Sequence, residues 1–418
     1  MIEPRVPALP RPMAQRKDES TGRRTPHFLC RGVVALLMLA VFELLAGCMS
    51  GPAPRAAIAY TGDPIVDGNA ELAAAPPKDR VLWDDRIAAT ALRVGNFDEA
   101  KTKLDDAILQ VGGIINNTAD AAKARSLFHP EETKTFIGEP YERVMDYYYR
   151  AILYWRDGQP DNARACYRTG QLIDSDAETH EYQSDYVLLD YLDGLASAKL
   201  GEDSSDALAR AQALTKRRLP PYNPDANVLV FAEYGQGPRK YAGGEYGEQL
   251  RFYTEPSRIH SARLIVDDRR IPLPPYDDLN FQATTRGGRV MDYILGNKAV
   301  FKRTTNTVGD VALIGAAAAA NNGSRDSDRA AVGLAAIGLI SKIASAATTP
   351  QADVRTWDNL PQYLSFAALK LSPGEHPVRL EFLTRDGEVA SELTRELTIN
   401  VSPDASTNNV VFLSELTR

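Results

Sequence analysis

The fold is decided around the run Asn227-Val-Leu-Val-Phe-Ala-Glu-Tyr234, which is mostly apolar and contains β-branched and aromatic residues. Such a run, ended here by Gly235-Gln-Gly-Pro238, is typical of a buried β-strand. It follows Lys216-Arg-Arg-Leu-Pro-Pro221, where the apolar period changes from helical toward strand. The sequence therefore predicts a change of architecture at about residue 220.

After this run, alternating apolar residues and the turn residues between them predict further strands. The predicted strands cover Ser261–Val266, His376–Leu383, Glu392–Val401 and Val410–Leu413. Strands of this kind, joined by turns, predict an antiparallel β sandwich-like domain or a small barrel. This domain is expected to span residues 221–418.

Before the run, from Val81 to Leu219, apolar residues recur at helical spacing. The segment Gly95–Ile108 resembles the second helix of a tetratricopeptide repeat, in which a glycine opens the turn and small alanines let two helices approach. Gly158 takes the same place in a second copy, and Gly201 in a third, weaker one. The sequence predicts an irregular tetratricopeptide-like helical unit over residues 80–220, and an unrelated helical bundle is the alternative.

An Ala- and Gly-rich stretch at residues 307–347 interrupts the predicted strands. Two apolar runs flank the polar turn Asn321–Arg325, and their small residues allow close helix packing. The first run has about a dozen residues, fewer than the roughly 20 that span a bilayer, and the second contains Lys342. A soluble or partner-binding helical hairpin is predicted, with insertion into a bilayer as the alternative. The chain is assigned to the α+β class.

The N-terminus has the features of a secretion signal. Basic residues precede the apolar run Val33–Leu45, which is followed by Ala46-Gly47-Cys48. This ending resembles the bacterial lipobox, which implies that residues 1–47 are removed and that Cys48 carries the acyl chains of a lipoprotein. A plain signal peptide with an incidental cysteine is the alternative, and the sequence leaves open whether translation starts at Met1 or Met13.

The residue after the lipobox cysteine is Met49 rather than Asp. By the same resemblance, this implies transport to the bacterial outer membrane, where the lipid-anchored protein faces the periplasm. Residues 48–79 contain many Ala, Pro and Gly without a sustained period, so a flexible tether is expected there. The folded part is then able to stand off the membrane.

Composition and motifs argue against several classes of function. The chain of 418 residues has a formal net charge of −7, which does not suit nucleic-acid binding. No stretch matches GxxxxGK[ST], GxSxG or HExxH, and the histidines are scattered, so no catalytic, cofactor or metal site is expected. Asp267-Asp268 and Asp277-Asp278 are interpreted as turn formers, and Cys166 as a buried unreactive thiol.

The segment Gln351–Pro361 contains the pattern ADxRxWxxLP. In an extended segment Asp353 and Arg355 lie on one face, so they can pair with each other or reach the hairpin, with Trp357 packed beneath. One interpretation is a structural joint that locks the hairpin onto the β domain. The other is a contact site for a partner or a glycan, because Arg and Trp are enriched in binding hot spots.

Three segments together resemble an uncharacterised family of bacterial envelope lipoproteins. They are Gly138–Glu142, Val228–Pro238 and the ADxRxWxxLP segment. Members of that family are encoded near lipoproteins that activate penicillin-binding proteins, which implies a place in cell-envelope biogenesis. The resemblance implies no enzymatic activity.

These features predict a non-enzymatic protein–protein adaptor. Its lipid holds it on the membrane, and the helical groove or the Arg355 region recruits an envelope protein, with the peptidoglycan synthesis machinery as the implied setting. One alternative is a peptidoglycan- or glycan-binding protein that uses the β domain. Another is a subunit of an export or assembly complex that inserts the hairpin.

Replacing the lipobox sulfur tests the anchor. In cells, Cys48→Ser is expected to abolish processing before residue 48, the acyl mass on the mature chain and its fractionation with membranes, because serine cannot form the thioether. Intact mass spectrometry and membrane fractionation measure all three. Cys30→Ser is the matched control and should change none of them. Unchanged processing, mass and fractionation in Cys48→Ser would contradict the prediction.

Overall fold

In the computed structural model, the described residues are 57–116, 134–175, 182–245, 247–285, 352–403 and 408–416. The predicted signal peptide, Cys48 and the predicted hairpin at residues 307–347 lie outside these ranges.

Helices dominate the described chain from Pro64 to Leu214. Their bounds are Pro64–Ala74 (α1), Arg80–Val94 (α2), Phe97–Asn116 (α3), Pro140–Arg156 (α4), Pro160–Asp174 (α5), Val187–Lys199 (α6) and Ser205–Leu214 (α7). Short turns join α2 to α3, α4 to α5 and α6 to α7, so each pair forms a helical hairpin. Helix α5 also packs on α6, which links the second hairpin to the third.

The turn glycines explain where these hairpins form. Gly95 ends α2 in the left-handed conformation, with φ of +80°, and Gly158 and Gly201 lie in the corresponding turns with φ of +71° and +75°. Ala100 and Ala163, at the small-residue positions of the predicted motif, are fully buried. The prediction of successive helical hairpins is confirmed.

Helix α1 lies in the segment that was expected to be a flexible tether, residues 48–79. The carboxylate of Asp63 caps its first turn and accepts hydrogen bonds from the N–H groups of Ile65 (2.8 Å) and Val66 (3.1 Å). The helix packs on α2. Capping and packing outweigh the Ala- and Pro-rich composition, so the tether prediction is wrong for α1.

The described strands form a central sheet, an outer sheet and a two-stranded ribbon. Their bounds are Val228–Gln236 (β1), Arg239–Gly243 (β2), Gln249–Tyr253 (β3), Ile259–Val266 (β4), Arg269–Leu273 (β5), Asp277–Asp278 (β6), Pro361–Leu369 (β7), Gly374–Thr384 (β8), Arg395–Val401 (β9) and Asn409–Ser414 (β10). The central sheet has the order β10-β1-β7-β6, the outer sheet β5-β4-β8-β9, and β2 with β3 forms the ribbon. A short helix, Leu279–Thr284 (α8), follows β6.

The central sheet is buried on both faces. Along β1, Leu229 and Phe231 belong to the core shared with the helices, whereas Val230 and Ala232 belong to the core shared with the outer sheet. A strand buried on both faces needs apolar residues at successive positions. This explains why the run at 227–234 does not alternate.

The strands predicted at 227–234, 261–266, 376–383, 392–401 and 410–413 are all present, with shifted ends. Strand β7 was not predicted, and it pairs antiparallel to β1. Strand β10 pairs parallel to β1, with Asn409 opposite Val228, so the central sheet is mixed rather than antiparallel throughout. The chain leaves β9 in the outer sheet and crosses to the end of the central sheet where β1 begins, which dictates the parallel direction.

The helices and the central sheet share one hydrophobic core. For example, the ring of Tyr148 in α4 meets that of Phe231 in β1 edge-on, with 6.3 Å between centroids. The α+β class is confirmed. The predicted boundary at 220/221 marks a change of element type within one compact unit, which begins at Ile58.

The described helices include none that combines the length and the apolar character needed to cross a bilayer.

Candidate functional site

The ADxRxWxxLP segment lies between the helices and the ribbon. Thr356 is held from both sides, because Arg86 of α2 donates to its carbonyl oxygen (3.0 Å) and the backbone N–H of Lys240 in β2 donates to its hydroxyl (3.3 Å). Ala352 also donates to the carbonyl oxygen of Gly247 at the end of the ribbon turn (2.8 Å). The segment therefore joins two parts of the fold that are distant in sequence.

Arg355 uses all of its N–H groups inside the protein. Its Nε and one Nη donate to the carboxylate of Asp353 (2.9 and 2.6 Å). The same Nη reaches the carbonyl oxygen of Lys134 (2.9 Å), and the other Nη donates to the carbonyl oxygen of Lys78 (3.0 Å) and to Asp79 (2.7 Å). One guanidinium thus ties the start of α2, the chain before α4 and the segment before β7 together.

The predicted pair of Asp353 and Arg355 is confirmed. The Arg355 side chain is only 16% exposed, and each of its five donors has an acceptor. A guanidinium with no spare donor is poorly suited to recruiting a partner. The structure therefore favours the interpretation as a joint over that as a partner contact. The joint holds the helices to the β part. Its predicted link to the hairpin at residues 307–347 lies outside the described residues.

A buried ion pair lies beside this joint. The side chains of Lys240 and Glu142 are 2% and 1% exposed and contact each other directly. Glu142 also accepts hydrogen bonds from the backbone N–H groups of Trp357 (2.8 Å) and Glu139 (2.7 Å), and Lys240 donates to the carbonyl oxygen of Arg355 (2.9 Å). Burial raises the pKa of Glu142, and the charge of Lys240 opposes that shift.

Trp357 is a core residue. It is 1% exposed, its indole N–H donates to the side chain of Asn359 (2.7 Å), and its ring meets that of Tyr149 edge-on at 6.0 Å. Trp357 is therefore a packed residue, as the structural interpretation predicts, and its ring contacts Tyr149. Its burial leaves no surface for a partner to contact.

A second buried ion pair connects α2 with β1. The Nε of Arg93 donates to Glu233 (2.6 Å), whose carboxylate also accepts hydrogen bonds from the hydroxyls of Tyr149 in α4 (2.5 Å) and Ser414 in β10 (2.7 Å). Four elements therefore meet at one carboxylate. Removing one partner of such a pair leaves a buried charge uncompensated, at a cost of about 3–5 kcal/mol.

Asp277 has a role that sequence reasoning missed. It was interpreted as a turn former, but it lies in β6 at the edge of the central sheet and is buried. Its carboxylate accepts hydrogen bonds from the N–H groups of Val187 (2.7 Å) and Leu188 (2.9 Å), and so caps the start of α6 from a distant strand. Burial raises its pKa to about 7, although these two hydrogen bonds oppose the shift.

Asp267 and Asp268 do form a turn, as predicted. Both adopt positive φ, +48° and +58°, between β4 and β5. The carboxylate of Asp267 also pairs with the Nδ1 of His376 (3.0 Å), and this contact is the main cause that raises the pKa of the histidine.

Two carboxyl groups share a buried position between α2 and α4. Asp85 and Asp146 are nearly fully buried, and they are hydrogen-bonded to each other. Burial raises the pKa of both, and the neighbouring carboxylates add to the shift of Asp85. One oxygen of each has no partner among the described residues, which fits an uncharged or singly charged pair better than two carboxylates.

The titratable groups whose pKa values are shifted most are buried in the core, where a substrate cannot reach them. Cys166 is buried, and desolvation raises the pKa of its thiol to about 12, as expected for an unreactive cysteine. Across the described ranges, no three His, Cys, Asp or Glu side chains are arranged to hold a metal ion.

The ribbon carries an exposed surface that was not predicted. Arg239 faces Tyr253 across the two strands, and Tyr241 faces Arg251. These four exposed side chains alternate with inward residues, and together they form the ribbon face. The alternation of polar and apolar residues at 249–252 was the available signal, but nothing in the sequence showed that the two segments pair.

No family model, curated protein or solved structure matches the chain.

The joint at Arg355 predicts a loss of stability for a substitution that keeps the charge. The lysine of Arg355→Lys has three N–H donors instead of five, too few for the acceptors on Asp353, Asp79 and the two backbone carbonyl groups. The free energy of unfolding should therefore fall by about 2 kcal/mol. Urea denaturation at pH 7 measures this change. Arg379→Lys is the matched control, because Arg379 is exposed and its pair with Glu396 is loose (3.9 Å), so its effect should stay within about 0.5 kcal/mol. Equal stability of the two variants would contradict the structural role.

The buried carboxyl pair predicts that stability falls as pH rises. A raised folded-state pKa means that the folded protein binds more protons than the unfolded chain above about pH 4, so the free energy of unfolding decreases from there toward pH 8. Asp85→Asn keeps a donor for Asp146 and removes one ionisable group, so this decrease should become smaller. Urea denaturation from pH 5 to 8 measures it. Asp206→Asn, at an exposed position of α7, should follow the wild-type profile, and an unchanged slope in Asp85→Asn would refute the prediction.

Proposed function

We propose that the protein is a membrane-anchored periplasmic lipoprotein that acts as a non-enzymatic adaptor in cell-envelope biogenesis. In this proposal Cys48 carries the lipid on the outer membrane, and the ribbon face contacts an envelope protein of the peptidoglycan synthesis machinery. The anchor and the setting come from the lipobox and from the resemblance of the sequence to envelope lipoproteins. The contact surface comes from the geometry.

The composition of the ribbon face is the observation that carries the proposal. Tyr241 and Tyr253 are 46% and 55% exposed, and each stands opposite an arginine. Tyrosine and arginine are the residue types that, with tryptophan, dominate the energetics of protein interfaces. Their pairing across two strands places four such side chains on one small surface.

The ribbon is held rigidly from its inner face. Lys240 points inward to the buried carboxylate of Glu142, and the ring of Phe252 meets that of Tyr141 in α4 edge-on at 5.8 Å. A preorganised surface loses less conformational entropy when a partner binds. The joint beside Arg355 therefore supports binding indirectly, by fixing the strand that carries Arg239 and Tyr241.

Charge indicates the chemistry of the partner. Arg239 lies 3.4 Å from Asp358, and Arg251 is bonded to the neutral amide of Gln249 (2.6 Å). The Arg239 side chain remains 53% exposed, so the ribbon face is locally positive on an acidic protein. A partner surface with carboxylates near an apolar centre would be complementary.

The burial of the perturbed groups supports a non-enzymatic role. Glu142 and Asp277 are 1% and 5% exposed, and their oxygens are occupied by hydrogen bonds within the protein. A general acid or base has to reach its substrate. These groups stabilise the contact between helices and sheet instead.

Site-specific photo-crosslinking in cells tests the proposal. A photoreactive residue at position 241 and, separately, at 253 should capture the same envelope protein. The same residue at Leu109 or Leu172, exposed positions of the helices, should not capture it. Capture only from the helical positions would show that the helices, not the ribbon face, form the contact.

The captured protein then allows a measurement of affinity. The double variant Tyr241→Ala/Tyr253→Ala should bind the purified partner at least about tenfold more weakly, because hot-spot tyrosines each contribute more than about 1 kcal/mol. Leu109→Ala/Leu172→Ala is the matched control with two exposed apolar side chains removed. Equal losses in both double variants would contradict the assignment of the surface.

A further inference from the structure

A cleft of about 610 Å³ opens at the end of the β sandwich, apart from the ribbon face. Its walls come from β4, from the chain that leads into β6, from β7, from the turn after β8 and from the segment that follows α7. We call it the arginine cleft, after Arg217 and Arg385, which line it. Its volume lies within the range of about 300–1,000 Å³ that is usual for small-molecule sites.

Two cations face this cleft without a counterion. The guanidinium groups of Arg217 and Arg385 make no ion pair or hydrogen bond with any part of the chain that the structure describes. By contrast, Arg355 and Arg93 are each paired with a carboxylate inside the protein. Two arginines without counterions in a concave site are well suited to bind a carboxylate or a phosphate. A guanidinium group binds either anion through two parallel hydrogen bonds.

The carboxylates of the cleft are already occupied. Asp278 accepts hydrogen bonds from the backbone N–H of Asn280 (2.9 Å) and from the side-chain amide of Gln362 (3.2 Å). Asp277 is turned into the core, where it caps α6. Neither carboxylate is therefore paired with the two arginines, and both guanidinium groups remain available to an anionic ligand.

Aromatic side chains form another part of the lining. Tyr276 and Tyr363 are half-buried, and the hydroxyl of Tyr363 lies 3.4 Å from the Nδ1 of His260. Burial is the main cause that raises the pKa of Tyr363 and Asp278 adds to it, whereas the charges of Arg385 and Arg217 lower it. Such rings offer an apolar face together with a hydrogen-bonding hydroxyl.

We propose that the arginine cleft binds a saccharide that carries a carboxylate or a phosphate. Arg217 and Arg385 pair with the anionic group, and Tyr276 and Tyr363 contact the sugar. A neutral sugar lacks the charge that the arginines need, and a bare anion lacks the surface that the tyrosines contact. The site shares no residue with the ribbon face, so it does not depend on the adaptor role.

Calorimetric titration of the purified protein tests the proposal with two matched pairs of probes. The disaccharide N-acetylglucosamine–N-acetylmuramic acid is compared with chitobiose, which lacks the lactyl carboxylate. Glucose 1-phosphate is compared with glucose, and inorganic phosphate is titrated alone. At least one acidic sugar should bind at least about tenfold more tightly than its neutral counterpart and than inorganic phosphate, in line with charge-assisted hydrogen bonds. Binding of the disaccharide would indicate a ligand from the cell wall, and binding of glucose 1-phosphate would indicate a sugar phosphate.

Substitutions of exposed arginines separate this site from general charge effects. Arg217→Gln/Arg385→Gln should weaken the acidic sugar at least about tenfold, without a change in the melting temperature, because both side chains are exposed. Arg218→Gln/Arg270→Gln removes two exposed arginines that do not line the cleft, and should leave the affinity unchanged.

Three results would overturn the proposal. They are no saturation by either acidic sugar at millimolar concentration, equal affinity for inorganic phosphate and the acidic sugar, and an equal loss of affinity in the two double variants.

Discussion

The burial of the central sheet on both of its faces is the constraint on which the rest of the structure depends. One face is covered by the outer sheet and the other by the helices, so the central sheet needs both layers to bury its apolar residues. Charged groups that lie between the layers lose their hydration, which is tolerable only when they are paired and hydrogen-bonded. Arg93 with Glu233 and Lys240 with Glu142 meet this condition, and each pair joins a helix to a strand.

This constraint also explains the ADxRxWxxLP segment. Arg and Trp attract attention as binding residues, but here they lie where three distant parts of the chain meet. Arg355 donates to the backbone carbonyl groups of Lys78 and Lys134, and Trp357 is buried in the core. The surface that we propose for partner binding is the neighbouring ribbon face, whose strands this joint holds in position.

Local signals in the sequence predicted a large part of the fold. Gly95, Gly158 and Gly201 marked the turns of the helical hairpins because their positive φ is a local requirement. The run at 227–234 marked the central strand because burial on both faces leaves a continuous apolar pattern. The pair of Asp353 and Arg355 was predictable because residues two apart on an extended segment share a face.

The features that were missed depend on contacts between distant residues. Asp277 caps a helix about 90 residues away in sequence, and a pair of aspartates gives no sign of that partner. The parallel direction of β10 follows from a crossover between sheets, and the ribbon face requires two short strands to pair. The residues that line the arginine cleft come from several elements, and no single motif contains them.

The central claim is that helices and sheets form one cooperative unit through the doubly buried sheet. Hydrogen–deuterium exchange by mass spectrometry across a urea titration tests it most directly, with peptides from α4 and α6 compared with peptides from β1 and β8. The account predicts that all of these peptides lose protection at the same urea concentration. Loss of protection in the helices at clearly lower urea, while β1 stays protected, would contradict it, because a sheet that keeps its stability without the helices does not need them as a covering layer.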